Sequence, residues 1–224
     1  MVKRRTFCKG SPNPYRISMK KFAIVCGSRT GSTYLCDMLS STNRCGFPKE
    51  FFNKSMKFGD NKHEWIRKFQ TENSVFGVKI VGFDQLQAFF DSKMQVDHLI
   101  WLYREDSVLQ AISRYIAFKT NGWHKKRERP EYSYEGIKWC LEEVEKENQF
   151  FEEYFEDKNH LKLSYEVDIC DGIEQSVVSI LQYMNITTEE LPRIKSVRKT
   201  TEEGNNEWKV RFNEEQEYYS TQNR

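Results

Sequence analysis

Two kinds of apolar pattern alternate along the chain. Short continuous apolar runs occupy residues 22–26, 75–80, 98–103 and 161–165. Each is rich in Val, Ile, Leu or aromatic residues, as expected of strands buried on both faces. Between and after them, apolar residues recur at helical spacing. Residues 33–41 follow the first run. Residues 61–70 carry Trp65, Ile66 and Phe69, and residues 84–91 carry Leu86, Phe89 and Phe90. In 107–119, Val108, Ile112, Tyr115 and Ile116 share one face. A long acidic stretch, 134–157, places Ile137, Leu141, Val144, Phe151 and Phe155 on another. Residues 172–184 complete the series with Ile173, Val177, Ile180, Leu181 and Met184. Strands alternating with helices predict an α/β domain with a P-loop-type parallel sheet and helices on both faces. Residues 120–133 and 192–206 are polar and basic and are expected to be loops.

The first strand leads into Gly27-Ser28-Arg29-Thr30-Gly31-Ser32-Thr33, and helical spacing resumes with Leu35, Met38 and Leu39. A strand, a tight glycine turn and a helix N-terminus make an anion site, because backbone N–H groups and the helix dipole favour negative charge. The nucleotide P-loop would place Lys after the second glycine. Here Ser32 follows Gly31, and the cation is Arg29, before it. In an open parallel sheet, ligands bind beyond the carboxyl ends of the strands. That rule brings Ser28–Thr33 together with Arg104 and Tyr165, which end two other predicted strands.

Composition narrows the classes. A chain of 224 residues is the size of one domain, and its net charge of +2 argues against a general nucleic-acid binder. Residues 1–20 form a basic tail without the apolar core of a signal peptide, leaving 21–224 as the domain. No run reaches the length of a transmembrane helix. The six cysteines form no CxxC pair, and His63, His98, His124 and His160 are scattered. Reduced thiols, a cytoplasmic location and no metal site are expected.

Ser28-Arg29-Thr30-Gly31-Ser32-Thr33 resembles the 5′-phosphosulfate loop of sulfotransferases that use 3′-phosphoadenylyl sulfate (PAPS). Tyr103-Arg104-Glu105-Asp106, followed by Gln110-Ala111-Ile112-Ser113, resembles their 3′-phosphate motif. Further blocks are Gly46-Phe47-Pro48-Lys49-Glu50-Phe51-Phe52, Phe76-Gly77-Val78-Lys79-Ile80, Gly122-Trp123-His124 and Glu207-Trp208. In this order the set resembles the bacterial trehalose 2-sulfotransferase-like family over most of the chain.

The resemblance implies PAPS as donor, PAP as product, no metal, a homodimer, and an acceptor hydroxyl on a carbohydrate or glycolipid-like molecule. Ser28, Arg29, Thr30, Gly31, Ser32 and Thr33 would hold the phosphosulfate. Arg104 and Ser113 would hold the 3′-phosphate, with Arg198 and Lys199 closing over it. Tyr165 would pack near the adenine. Glu50 would be the general base, and Arg29 would address the sulfuryl or bridging oxygens. Held against Phe51 and Phe52, the Glu50 carboxyl is expected to have a raised pKa. Lys79 would polarise the leaving oxygen or hold acceptor hydroxyls, and Trp123 and His124 would contact the acceptor. The residues themselves leave two other readings open: a P-loop small-molecule kinase, and a non-catalytic nucleotide-binding protein.

Overall fold

The computed structural model describes residues 19–56, 61–123, 128–187 and 203–222. The basic tail up to residue 18, and the candidates His124, Arg198 and Lys199, lie outside them. Four parallel strands form one sheet in the order β2-β1-β3-β4. They are β1 (Lys20–Cys26), β2 (Val75–Val81), β3 (His98–Tyr103) and β4 (Leu161–Ser164). β1 thus begins at Lys20, inside the expected tail. It is the central strand from which the chain goes first to β2 on one side and then to β3 on the other. A ligand crevice is expected at this reversal.

Both faces of the sheet are covered. On one, Phe22, Ile24 and Cys26 of β1 pack with Leu35, Met38 and Leu39 of α1 (Ser32–Ser41) and with Val177, Ile180 and Leu181 of α6 (Ile173–Tyr183). On the other, Ala23 and Val25 meet Trp65 of α2 (Lys62–Phe69), Leu86 and Phe89 of α3 (Gly82–Asp91), and Phe151 and Phe155 of α5 (Tyr134–Phe155). This is the strict alternation of a strand whose successive side chains point to opposite faces.

A third cluster joins α4 (Ser107–Thr120) and α5 to the fully buried Phe212 of α7 (Glu203–Gln222). The start of α7 corrects the expected loop, which was to run to residue 206. The fourth strand also stops one residue early, and Tyr165 opens a wider-wound π-helix, Tyr165–Asp171.

Candidate active site

Gly27 follows β1 directly, and the loop beyond it turns through left-handed backbone at Arg29 (φ 66°) and Gly31 (φ 77°). Gly31 precedes α1 without any side-chain cap, and the first turn of α1 carries no acidic residue. The helix N-terminus therefore offers its dipole and N–H groups to an outside anion. Gly31 also meets a close neighbour: a Cβ there would lie 2.7 Å from the Tyr165 ring. Thr30 is buried, and its hydroxyl donates to the Gly27 carbonyl at 3.1 Å. It braces the loop from within. Gln110 of α4, fully buried, donates from Nε2 to the Ser28 carbonyl at 2.8 Å. The Ser28 hydroxyl is buried and has no hydrogen-bond partner among the described residues. Ser32 is buried at the start of α1, while Thr33 is exposed.

The second candidate anion site adjoins this loop. Arg29 reaches from the loop to α4, donating from Nε to Ser113 Oγ at 2.9 Å and from a terminal nitrogen to the Trp123 carbonyl at 3.1 Å. Two residues expected at opposite ends of a nucleotide are thus linked directly, and Trp123 enters through its backbone while its side chain stays exposed. Arg104, just past β3, is almost wholly buried. It donates to the Arg29 carbonyl at 3.4 Å, and its guanidinium lies 4.5 Å from the centroid of the Tyr165 ring. Tyr165 therefore packs between Gly31 and Arg104.

Glu50 sits on a segment laid along the edge of β2. Lys49 bridges to Val78, and the Lys79 backbone N–H donates to the Lys49 carbonyl. Phe51 and Phe52 are buried beside Trp65 and anchor this segment. Lys79, on β2, places its ammonium 2.7 Å from Glu50 Oε1 and 3.0 Å from Thr33 Oγ1. Asn53 and Gln85 donate to Glu50 Oε2 at 2.8 and 3.0 Å.

These contacts overturn the expected rise in the Glu50 pKa. Burial does push the carboxyl up, but the Lys79 charge and the hydrogen bonds from Lys79, Asn53 and Gln85 outweigh it, and the pKa is lowered. Lys79 responds in the opposite sense. Burial would lower its pKa, but Cys36 and the Glu50 carboxylate hold it above its usual value. The pair is therefore ionised at neutral pH.

Several supporting residues escaped the sequence reading. Glu147 of α5 pairs with Arg114 of α4 at 3.0 Å. Its two oxygens lie 3.2 Å and 3.4 Å from where a Cβ would stand on Gly27 and Gly82, so one carboxylate fills the gap beside two strand ends. Burial raises its pKa, more than Arg114 lowers it. The signal was present: Glu147 occupies an apolar-stripe position between Val144 and Phe151. Gln85 likewise stands next to Leu86 on the buried side of α3. Glu166, by contrast, gave no local sign. It accepts the backbone N–H groups of Glu105 and Asp106 at 2.9 and 3.3 Å and pairs with Arg104.

Among solved structures, a sulfotransferase from Alicyclobacillus acidocaldarius is similar to this chain. The TM-score is 0.56 at 17% identity, over 81% of this chain and 87% of that one. That likeness concerns the fold. Comparison with curated proteins gives no match. The profile of the Stf0 sulphotransferases matches residues 21–93 and 84–215, a span that runs from β1 into α7 and takes in the glycine loop, Glu50, Lys79, Arg104 and Ser113. A glycine loop at an uncapped helix N-terminus, a cationic strand end beside it and a carboxylate tied to it by Lys79 thus sit within the two overlapping matched segments, and the chain belongs to the Stf0 sulfotransferase family.

Proposed function

We propose that this sulfotransferase moves a sulfuryl group from PAPS to a hydroxyl of a carbohydrate or glycolipid-like acceptor, with Glu50 as general base. The observation that carries this reading is the position of Lys79. Its contacts to Glu50 and Thr33 tie the carboxylate to the anion loop through one side chain. The residues fit an anionic nucleotide donor: the N-terminus of α1 is uncapped, the Ser28 hydroxyl is buried without a partner among the described residues, and Arg29 and Arg104 supply fixed cations. PAPS, when bound, supplies the sulfuryl group and leaves as PAP.

The chain's own residues do the rest. Ser28, Ser32, Thr33 and the backbone of the loop bind the 5′ end; Thr30 keeps the loop in shape. Arg104 and Ser113 bind the 3′-phosphate, and Tyr165 packs near the adenine. The Glu50 carboxylate, already ionised, takes the proton from the acceptor hydroxyl as that oxygen attacks sulfur. General-base assistance of this kind is worth ~10²–10⁴-fold in rate. Lys79 keeps Glu50 ionised and, through Thr33, fixes its distance from the donor loop. Among the described residues five cysteines are free thiols; a cytoplasmic location and a homodimer belong to the same proposal.

Glu50→Gln tests the assignment. With labelled PAPS and a panel of trehalose, glucose and glycolipid acceptors, turnover falls by at least ~10²-fold while PAP affinity is retained. Normal turnover by this variant removes Glu50 from the mechanism. PAP binding without turnover in the unmodified protein, over a broad acceptor panel, favours a non-catalytic binder.

A further inference from the structure

Glu166 is the second residue of the π-helix Tyr165–Asp171, and one of its carboxylate oxygens lies 3.4 Å from Arg104 Nε. The same carboxylate accepts the N–H groups of Glu105 and Asp106, the two residues that lead from Arg104 into α4. One side chain thus joins the cation at the end of β3 to the beginning of the helix that carries Ser113. Among the described residues, Arg104 is held from three directions: Glu166 at ion-pair distance from its Nε though not hydrogen-bonded to it, the Arg29 carbonyl on a terminal nitrogen, and the Tyr165 ring under its face.

We infer that Glu166 is a positioning residue for the 3′-phosphate: it fixes Arg104 so that the protein selects adenine nucleotides bearing a 3′-phosphate over those without one. This rests on the PAPS reading above. A long arginine side chain loses rotamer freedom when it grips a ligand, and ordering it beforehand removes that loss from binding. Among the described residues, Glu166 and the Arg29 carbonyl engage different nitrogens of the guanidinium. Glu166 takes the Nε edge, and the terminal nitrogen that donates to Arg29 is turned to the glycine loop, the side from which a nucleotide approaches. The selection is for a phosphate at one position, so it is read from two nucleotides that differ only there.

The probes are PAP and adenosine 5′-monophosphate, titrated calorimetrically into the full-length protein. The ratio of their affinities isolates recognition of the 3′-phosphate. Glu166→Gln keeps the side-chain length and one of the two oxygens that accept the backbone N–H groups, and removes the charge. The ratio falls by about tenfold, the loss expected for one charge-assisted contact, while affinity for the monophosphate is unchanged. In an Arg104→Ala background the same substitution has no further effect on the ratio. Glu166→Ser, which also removes the backbone contacts, lowers the ratio at least as far.

An unchanged ratio in both Glu166 variants would make the residue merely structural and overturn the inference. A rise would show Glu166 competing with the phosphate, and a drop that persists without Arg104 would show action through another group. Each of these leaves the PAPS reading standing. Equal affinity of the unmodified protein for both nucleotides would overturn the inference and the PAPS reading together.

Discussion

Replacing Lys79 by Met tests the electrostatics of the site most sharply. Lys79 and Glu50 are both largely buried, with side-chain exposures of 7% and 11%, and their charged atoms are 2.7 Å apart. At charge centres ~4 Å apart, with an effective dielectric constant of ~20, the attraction is about 4 kcal/mol. Removing one partner of a buried pair typically costs ~3–5 kcal/mol, because the other charge stays buried. Asn53 and Gln85 still bond Glu50, and an ammonium no longer has to be buried. The expected loss is therefore near the lower end, ~3 kcal/mol at neutral pH.

The pH dependence fixes the cause. In the native protein the Glu50 pKa lies below its ordinary value of 4.5, so its stabilising contribution is present above that value and is lost as pH falls through the lower folded value. In Lys79→Met the main force lowering that pKa is gone while burial still raises it. The variant then binds the Glu50 proton at higher pH than the native protein does. Urea unfolding of both proteins from pH 7 to pH 4 should show a gap that is widest at neutrality and narrows toward acid. A gap of constant size would mean lost packing instead of lost charge, and no gap at pH 7 would mean that the Lys79–Glu50 pair does not stabilise the fold.

Three other outcomes are expected. Gly31→Ala places a Cβ 2.7 Å from the Tyr165 ring on left-handed backbone; the conformational cost alone is ~1–2 kcal/mol, and PAP affinity drops by at least tenfold in calorimetry, whereas native affinity would show that the loop does not need this turn. Phe212→Ala empties the fully buried anchor of α7; urea unfolding should show a loss of ~3–4 kcal/mol, and a loss below ~0.5 kcal/mol would mean that α7 is not docked. With Glu50 ionised at neutrality, kcat/KM should stay level from pH 7 down to about pH 5 and fall only below the ordinary carboxylate value of 4.5; an acidic limb near pH 6 would contradict the lowered pKa.

The sheet was legible because strands buried on both faces carry unbroken apolar runs. The run at 98–103 matches β3 end for end, and 75–80 falls one residue short of β2. Helix α7 was not, because Glu203–Gln222 is almost entirely polar and aromatic, and among its described side chains only Phe212 is fully buried. Its place is set by partners far away in sequence, such as Arg129 against the Trp208 ring and Lys209 paired with Asp106. The glycine loop was readable from residue types alone, since glycines and hydroxyls after a strand have few other uses. The direction of the Glu50 pKa was not. Sequence shows Phe51 and Phe52 beside Glu50, but the contact that dominates comes from Lys79 on β2, with smaller contributions from Asn53 and Gln85. Glu166 escaped for a similar reason, because its partners are backbone N–H groups about sixty positions away.

The two proposed anion sites around the glycine loop would bind a nucleotide carrying both a 5′- and a 3′-phosphate. Calorimetric titration with PAP in EDTA, with ADP and ATP as controls, tests this directly. The predicted result is micromolar or tighter binding of PAP without any metal, and much weaker binding of ADP and ATP. Binding of ATP that requires Mg²⁺, with PAP inert, would contradict it and bring the kinase chemistry forward.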